Sequence, residues 1–265
     1  QITARGVGNG ISLIIFAGIV AELPSALAGT LELGRTGALS SGIITTILIM
    51  AVFVIYAIVF VERGQRRLVV QYPKRQQGNK MYGGESSHLP LKINTSGVIP
   101  LIFASSLLLM PTTVISFMAN TGPEWLTTIS SLLGRGQPSY LIIYSALIAF
   151  FAFFYTAVVF NPEETADNLK KNGGFIPGIR PGKNTAEYLE YVTTRLTVVG
   201  ASYLVAVALL PEILISQWSV PFFFGGTSLL IVVTVTMDTV AQVQSHMLAH
   251  QYEGLIKKSR LKGRR

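Results

Sequence analysis

The chain has 265 residues, half of them hydrophobic, with 13% charged and a mean hydropathy of +0.50. A soluble domain carries about 25% charged residues, so 21 basic and 13 acidic side chains cannot coat a water-exposed surface of this size. An ordinary soluble enzyme, a disordered chain and a coiled coil are excluded, and the lack of cysteine excludes a disulfide-stapled secreted domain.

The charges are clustered, and the gaps between them mark the spans. Charge-free runs occupy residues 6–21, 36–61, 93–123, 136–162, 196–211 and 213–237. A helix needs about 20 apolar residues to cross the hydrocarbon core of a bilayer. Four runs are long enough outright. The two short ones can be extended by charges at their ends, Glu22, Arg195 and Glu212, that reach the interface. The expectation is an all-α polytopic membrane bundle of six transmembrane helices, near residues 10–29, 41–61, 97–117, 139–160, 196–215 and 221–243. Barrel strands would alternate apolar and polar residues, whereas Ile43 to Phe60 and Leu141 to Phe160 are apolar on every face. No signal peptide is expected ahead of the first span. The run Gly6-Val7-Gly8-Asn9-Gly10 has no strand before it and reads as a flexible lead into that span. Pro24, Pro100, Pro111, Pro211 and the pair Gly225-Gly226 interrupt the spans, either as kinks satisfied by neighbours or as hinges.

Six spans place the connections alternately on two sides. Of the 21 Lys and Arg, 19 fall on the side holding Arg5, residues 62–95, residues 161–195 and the tail 244–265; only Arg35 and Arg135 fall on the other. The positive-inside rule makes the basic side cytoplasmic, with both ends of the chain there. Trp125 and Trp218 then sit in outer connections, as interfacial anchors. The two inner segments are too long to be mere connectors. The first carries Arg63, Arg66, Arg67, Lys74, Arg75 and Lys80; the second frames Arg180 between Pro177-Gly178 and Pro181-Gly182. Such neighbours stiffen the chain and hold Arg180 out toward a partner. Topology anchoring or binding of anionic lipid would account for the other basic residues equally well. The tail from Lys257 to Arg265 reads as a solvated, disordered end.

Catalytic and metal patterns are missing. The histidines are His88, His246 and His250, and none has a carboxylate at ligand spacing within a span. There is no nucleophile elbow, phosphate loop or zinc-protease motif. The sequon Asn94-Thr95-Ser96 falls on the cytoplasmic side and reads as chance. No catalytic activity, metal or cofactor is expected. Glu22, Glu212 and Asp238 lie toward helix ends, which argues against an ion-coupled carrier, whose charges sit in mid-membrane. Ser105, Ser106, Thr227, Ser228 and Thr234 inside spans serve as packing glue or as pore lining.

Several strings together resemble the SecY family, channel subunits of the bacterial protein-conducting translocon. They are ITARGVGNGIS, VFVERGQRR, KRQQG, HLPLKIN running into SGVIPLIFASS, FNPEETADNLKK, FIPGIRPG and PFFFGGTSLLIVV, in the family's order. The resemblance covers the family's fifth to tenth helices; its first four, with the plug and one side of the lateral gate, lie outside it. It implies a conduit for unfolded secretory polypeptide and a lateral exit for membrane proteins. By motif, Ile11, Ile15, Ile102 and Ile231 match the family's pore ring, a hydrophobic constriction that excludes water and ions at rest. Asn94, Val98 and Ile99 match the lateral gate, where signal sequences arrive. Arg63, Arg66, Arg67, Lys74, Arg75 and Arg180 match the docking surface for the motor ATPase SecA and for the ribosome, whose RNA phosphates attract basic side chains. The small subunits SecE and SecG are the implied membrane partners. A small-molecule transporter and an intramembrane enzyme are the competing readings, and neither has its charge pairs or nucleophile–base pair in the spans.

Overall fold

The structure is a computed structural model that describes residues 10–37, 40–73, 75–77, 80–82, 86–118, 132–134, 137–218 and 226–262. It is mostly helical. The chain divides into two units, residues 1–55 with 221–265, and residues 56–220.

The first unit contains α1 (Gly10–Arg35), most of α2 (Ser41–Glu62) and α7 (Gly226–Lys262). α1 packs against α7 and has no buried residue along its length. It runs through Pro24 without a break. α7 continues well past residue 243, so the tail expected as a disordered end is helical through Lys262. Residues 244–262 hold one glycine and no proline, so nothing in them stops a helix once it has started.

The second unit starts within α2. It continues with two antiparallel strand pairs, β1 (Gln65–Gln71) with β4 (Ser86–Lys92) and β2 (Arg75–Gln77) with β3 (Lys80–Tyr82). Then follow α3 (Ile99–Met118), α4 (Pro138–Val159), α5 (Pro162–Lys171) and α6 (Lys183–Trp218). α3 packs on α4, and α4 on α6. Pro100 lies in the first turn of α3, where its missing N–H costs nothing. Pro111 and Pro211 lie inside continuous helices, so these prolines do not divide the spans.

Among the described residues, five helices are long and apolar enough to cross a membrane, and Ile99–Ile115 is an apolar helix of shorter length. Several boundaries differ from those expected from the charge-free runs: α1 continues to Arg35 rather than ending near 29, and α7 continues beyond 243. α6 begins at Lys183 rather than near 196. Its first turns carry charge on one face while Ala186, Leu189 and Val192 are buried on the other, and a search for charge-free runs does not register an amphipathic extension. Within residues 62–95, expected as a loop, the described residues include the strand pair β1 and β4, here called the hairpin, and the shorter pair β2 and β3. Leu68 and Val70 alternate with exposed neighbours along β1 and point to one face, joined by Leu91 of β4. The register sets Leu68 opposite Leu89 and Arg66 opposite Leu91.

Candidate functional site

The two basic segments that sequence separates by some seventy residues fold into one body in the second unit. Its core is Leu68, Val70 and Leu91 from the hairpin, Ala166 from α5, Ile176 from the following turn, and Ala186, Leu189 and Val192 from α6. Leu189 is 0% exposed. A backbone bridge ties the segments edge to edge. The Gln71 N–H donates to Phe175 O at 2.9 Å, and the Phe175 N–H donates back to Gln71 O at 3.0 Å.

Local chemistry places each part. Asn161 caps α5, its side-chain oxygen accepting from the backbone N–H of Glu163 and Glu164 at 3.1 and 3.3 Å. Acidic residues in the first turn of α5 and Lys170 and Lys171 in the last complement its dipole. α5 stops at Gly173-Gly174, where the Gly174 N–H donates to Leu169 O at 2.8 Å. A Cβ at Gly174 would lie 2.9 Å from the Tyr72 ring and 3.1 Å from Val70, so glycine is what lets the chain reach the hairpin edge.

Arg180 directly follows a turn closed by Ile179 N–H on Ile176 O at 3.1 Å, with Gly178 at φ 84° and Gly182 at φ 108°. Its side chain is exposed. Its carbonyl is held from behind: the Thr185 hydroxyl donates to Arg180 O at 3.0 Å, and Thr185 itself is 2% exposed. The stiff, outward arginine expected from the Pro-Gly frame is therefore anchored into the body's core by a threonine that sequence reading did not single out.

Arg63, Arg66 and Arg67 are exposed at the end of α2 and the start of β1. Arg66 lies on the hairpin face of Leu68 and Val70, at its end, and Arg67 on the opposite face. Arg75 opens β2, its backbone paired with Tyr82. Lys74 lies outside the described residues, as do Trp125, Arg135 and Gly225.

Asn94 is 4% exposed and forms a polar node between the hairpin and α3. Its amide donates to Glu62 Oε1 at 2.7 Å and to Gly97 O at 3.2 Å, and its oxygen accepts from the Ser96 hydroxyl at 3.1 Å. The hairpin base closes beside it through Ile93 N–H to Gly64 O at 3.1 Å. α6 comes against the same base, since a Cβ at Gly200 would lie 2.9 Å from Ile93 O. A charge-assisted bond in a part-buried place is among the stronger ones. The Glu62–Asn94 partnership joins residues 32 apart, and no local pattern in the sequence gives it away. Val98 is buried, and Ile99 opens α3 half-buried.

Of the four isoleucines matched to a pore ring, three belong to the first unit. Ile11 is 70% exposed and Ile15 half-buried on α1, and Ile231 is 7% exposed on α7. Ile102, half-buried on α3, belongs to the second unit. Ile11 and Ile15, one turn apart, share a face of α1. Among the described residues no group of three or more His, Cys, Asp or Glu could hold a metal ion.

The family model for SecY matches residues 1–240. The protein translocase subunit SecY of Vibrio cholerae is 57% identical over 99% of the chain. That of Escherichia coli K12 is 58% identical over 99%, and that of Rickettsia typhi 55% over 99%. The chain spans about 60% of the length of each of these relatives. Two solved structures share the fold. One is a SecY protein whose plug domain stabilises the closed translocation channel, with TM-score 0.66, 19% identity and coverage of 94% of this chain and 62% of the other. The second is a protein-conducting channel, with TM-score 0.64, 18% identity and coverage of 94% and 61%.

Proposed function

The chain belongs to the SecY family, a multi-pass membrane protein, and from that premise we propose that it forms the C-terminal part of a protein-conducting channel in the bacterial inner membrane. The channel passes unfolded secretory polypeptide across the bilayer and releases membrane proteins sideways into it. The work comes from partners, the SecA motor or the translating ribosome, and the chain itself catalyses nothing. The observation that carries the reading is 58% identity across 99% of the chain to a protein translocase subunit.

The chain's residues divide the task. Ile11, Ile15, Ile102 and Ile231 form the constriction, where aliphatic side chains exclude water and ions until a polypeptide displaces them. Asn94, Val98 and Ile99 lie at the gate side of α3 and receive the signal sequence. The hairpin body faces the cytoplasm, a placement supported by the excess of basic residues around it, and docks the motor and the ribosome through Arg180 with Arg63, Arg66, Arg67, Lys74 and Arg75. SecE and SecG complete the complex in the membrane, and the basic surface also attracts anionic lipid.

The test uses the lack of cysteine in the chain. A single cysteine replaces Ile102 in a complete channel carrying this chain as its C-terminal part. A secretory chain stalled in transit carries a thiol-reactive probe. The expected result is a cross-link at position 102 and none at Ile142, which is 69% exposed on α4. Equal labelling at both positions, or none at 102 with the channel correctly inserted, overturns the constriction.

A further inference from the structure

We propose that Thr185 is a positioning residue for the motor interface: its hydroxyl fixes the direction in which Arg180 leaves the body, so that the arginine meets its partner already oriented. The inference rests on the reading of Arg180 as a docking residue and adds to it a second residue that never touches the partner.

The loop around Arg180 has few bonds of its own. Pro177 and Pro181 have no N–H to donate. One turn closes before the arginine, at Ile176 and Ile179. After it α6 begins, where Gly182 O accepts from the N–H of Thr185 and Ala186 at 3.0 and 3.1 Å. Among the described residues, Arg180 makes one hydrogen bond, and it is the one its carbonyl accepts from the Thr185 hydroxyl at 3.0 Å. The backbone turns that bond into an aim. Pro181 has its own φ fixed by its ring and confines the ψ of Arg180 to the extended region. With both dihedrals beside the 180–181 peptide restricted, a bond that holds the carbonyl holds the whole peptide plane, and with it the direction of the Arg180 side chain.

Other helical threonines spend their hydroxyls differently. Thr156, Thr165, Thr194 and Thr197 each donate to the carbonyl four residues back, which serves the helix alone. Thr185 stands in the first turn of α6, and its hydroxyl reaches five residues back, out of the helix and into the loop. Thr185 is 2% exposed, beside the core residue Ala186 and one turn before Leu189. The donor is therefore set in the rigid part of the body and the acceptor in the exposed loop. Without the hydroxyl the Arg180 carbonyl can turn to water, and the peptide plane turns with it.

The test uses a complete channel carrying this chain as its C-terminal part, reconstituted in vesicles, with ATP-driven export followed at rising motor concentration. Thr185→Val and Thr185→Ala both remove the donor and differ in bulk; Thr185→Ser keeps it. The first two should raise the half-saturating motor concentration about threefold to tenfold, the cost of ordering on contact what the bond orders beforehand. The export rate at saturating motor should not change. Thr185→Ser should keep the unaltered value, and so should Thr194→Val, whose residue is exposed on α6. A spin label on Arg180→Cys, in a channel without other cysteines, should move more freely with Thr185→Val or Thr185→Ala and not with Thr185→Ser. A half-saturation unchanged by Thr185→Val but raised by Thr185→Ala and Thr185→Ser assigns Thr185 to packing and overturns the proposal. A fall in the saturated rate alone does the same. If Thr185→Val does not assemble, Thr185→Ala against Thr185→Ser decides. Arg180→Ala with normal half-saturation defeats the docking reading and the proposal with it. A defective Arg180→Ala beside a normal Thr185→Val defeats the positioning role alone.

Discussion

In α1 not one of 26 residues is buried, and Ile14 is 71% exposed, whereas in the hairpin body Leu189 is 0% and Val70 2% exposed. α1 is mainly apolar, with Glu22, Glu32 and Arg35 as its charges, and none of its residues is withdrawn into a core of the kind the hairpin body has. The hairpin body is amphipathic throughout: strands alternate, and α6 carries charge on one side and Ala186, Leu189 and Val192 on the other. It is held together as a small soluble domain is, by apolar area withdrawn from water. Between helices surrounded by lipid that driving force is absent, and packing rests on close contact and hydrogen bonds. One chain thus follows two sets of rules, and a single kind of substitution should have different consequences in each part.

The largest effect is expected at Leu189. Leu189→Ala should cost the body about 2–5 kcal/mol, seen by hydrogen exchange as joint loss of protection over residues 65–92 and 162–195. Independent exchange of the two segments would break the comparison, because it would mean they do not share a core. Next comes Gly174→Val. Its branched side chain meets Tyr72 and Val70, at a cost of about 1–3 kcal/mol. Exchange should rise first at the paired amides of Gln71 and Phe175. Asn94→Ala removes the bonds to Glu62 and Gly97 and should cost about 1–2 kcal/mol. A double-mutant cycle with Glu62→Gln, read by thermal unfolding, should show the two changes to be non-additive. The smallest effect is expected on α1. Ile14→Ala should alter folding stability by less than about 0.5 kcal/mol, and insertion should be unchanged in a glycosylation-mapping assay.

The apolar spans were legible because lipid imposes a single demand, a long stretch without charge, that composition alone displays. The hairpin body was harder to read for the opposite reason. Its charges are where the eye goes, yet its fold depends on sparse apolar residues between them: Leu68 and Val70 at strand spacing, and Ala186, Leu189 and Val192 at helical spacing. Those periods were present in the sequence and were outweighed by the run of arginines. The exposure of Arg180 could be anticipated from Pro177, Gly178, Pro181 and Gly182, since those residues restrict the backbone locally. The Thr185 bond that anchors its carbonyl and the Glu62–Asn94 pair could not, because both depend on tertiary proximity that no spacing rule encodes. The helical continuation of α7 to Lys262 shows the limit of reading a basic run as disorder when no residue in it breaks a helix.

Under the proposed function, the hairpin body is a rigid mount for Arg180, the exposed arginine proposed to dock the motor. The most direct measurement joins two readings on the variant Arg180→Glu in a complete channel: hydrogen exchange over residues 65–92 and 162–195, and ATP-driven export of a secretory substrate into vesicles. Unchanged protection together with lost export is the predicted result, because the side chain is exposed and only its backbone is tied to the core. Normal export with protection unchanged would contradict it.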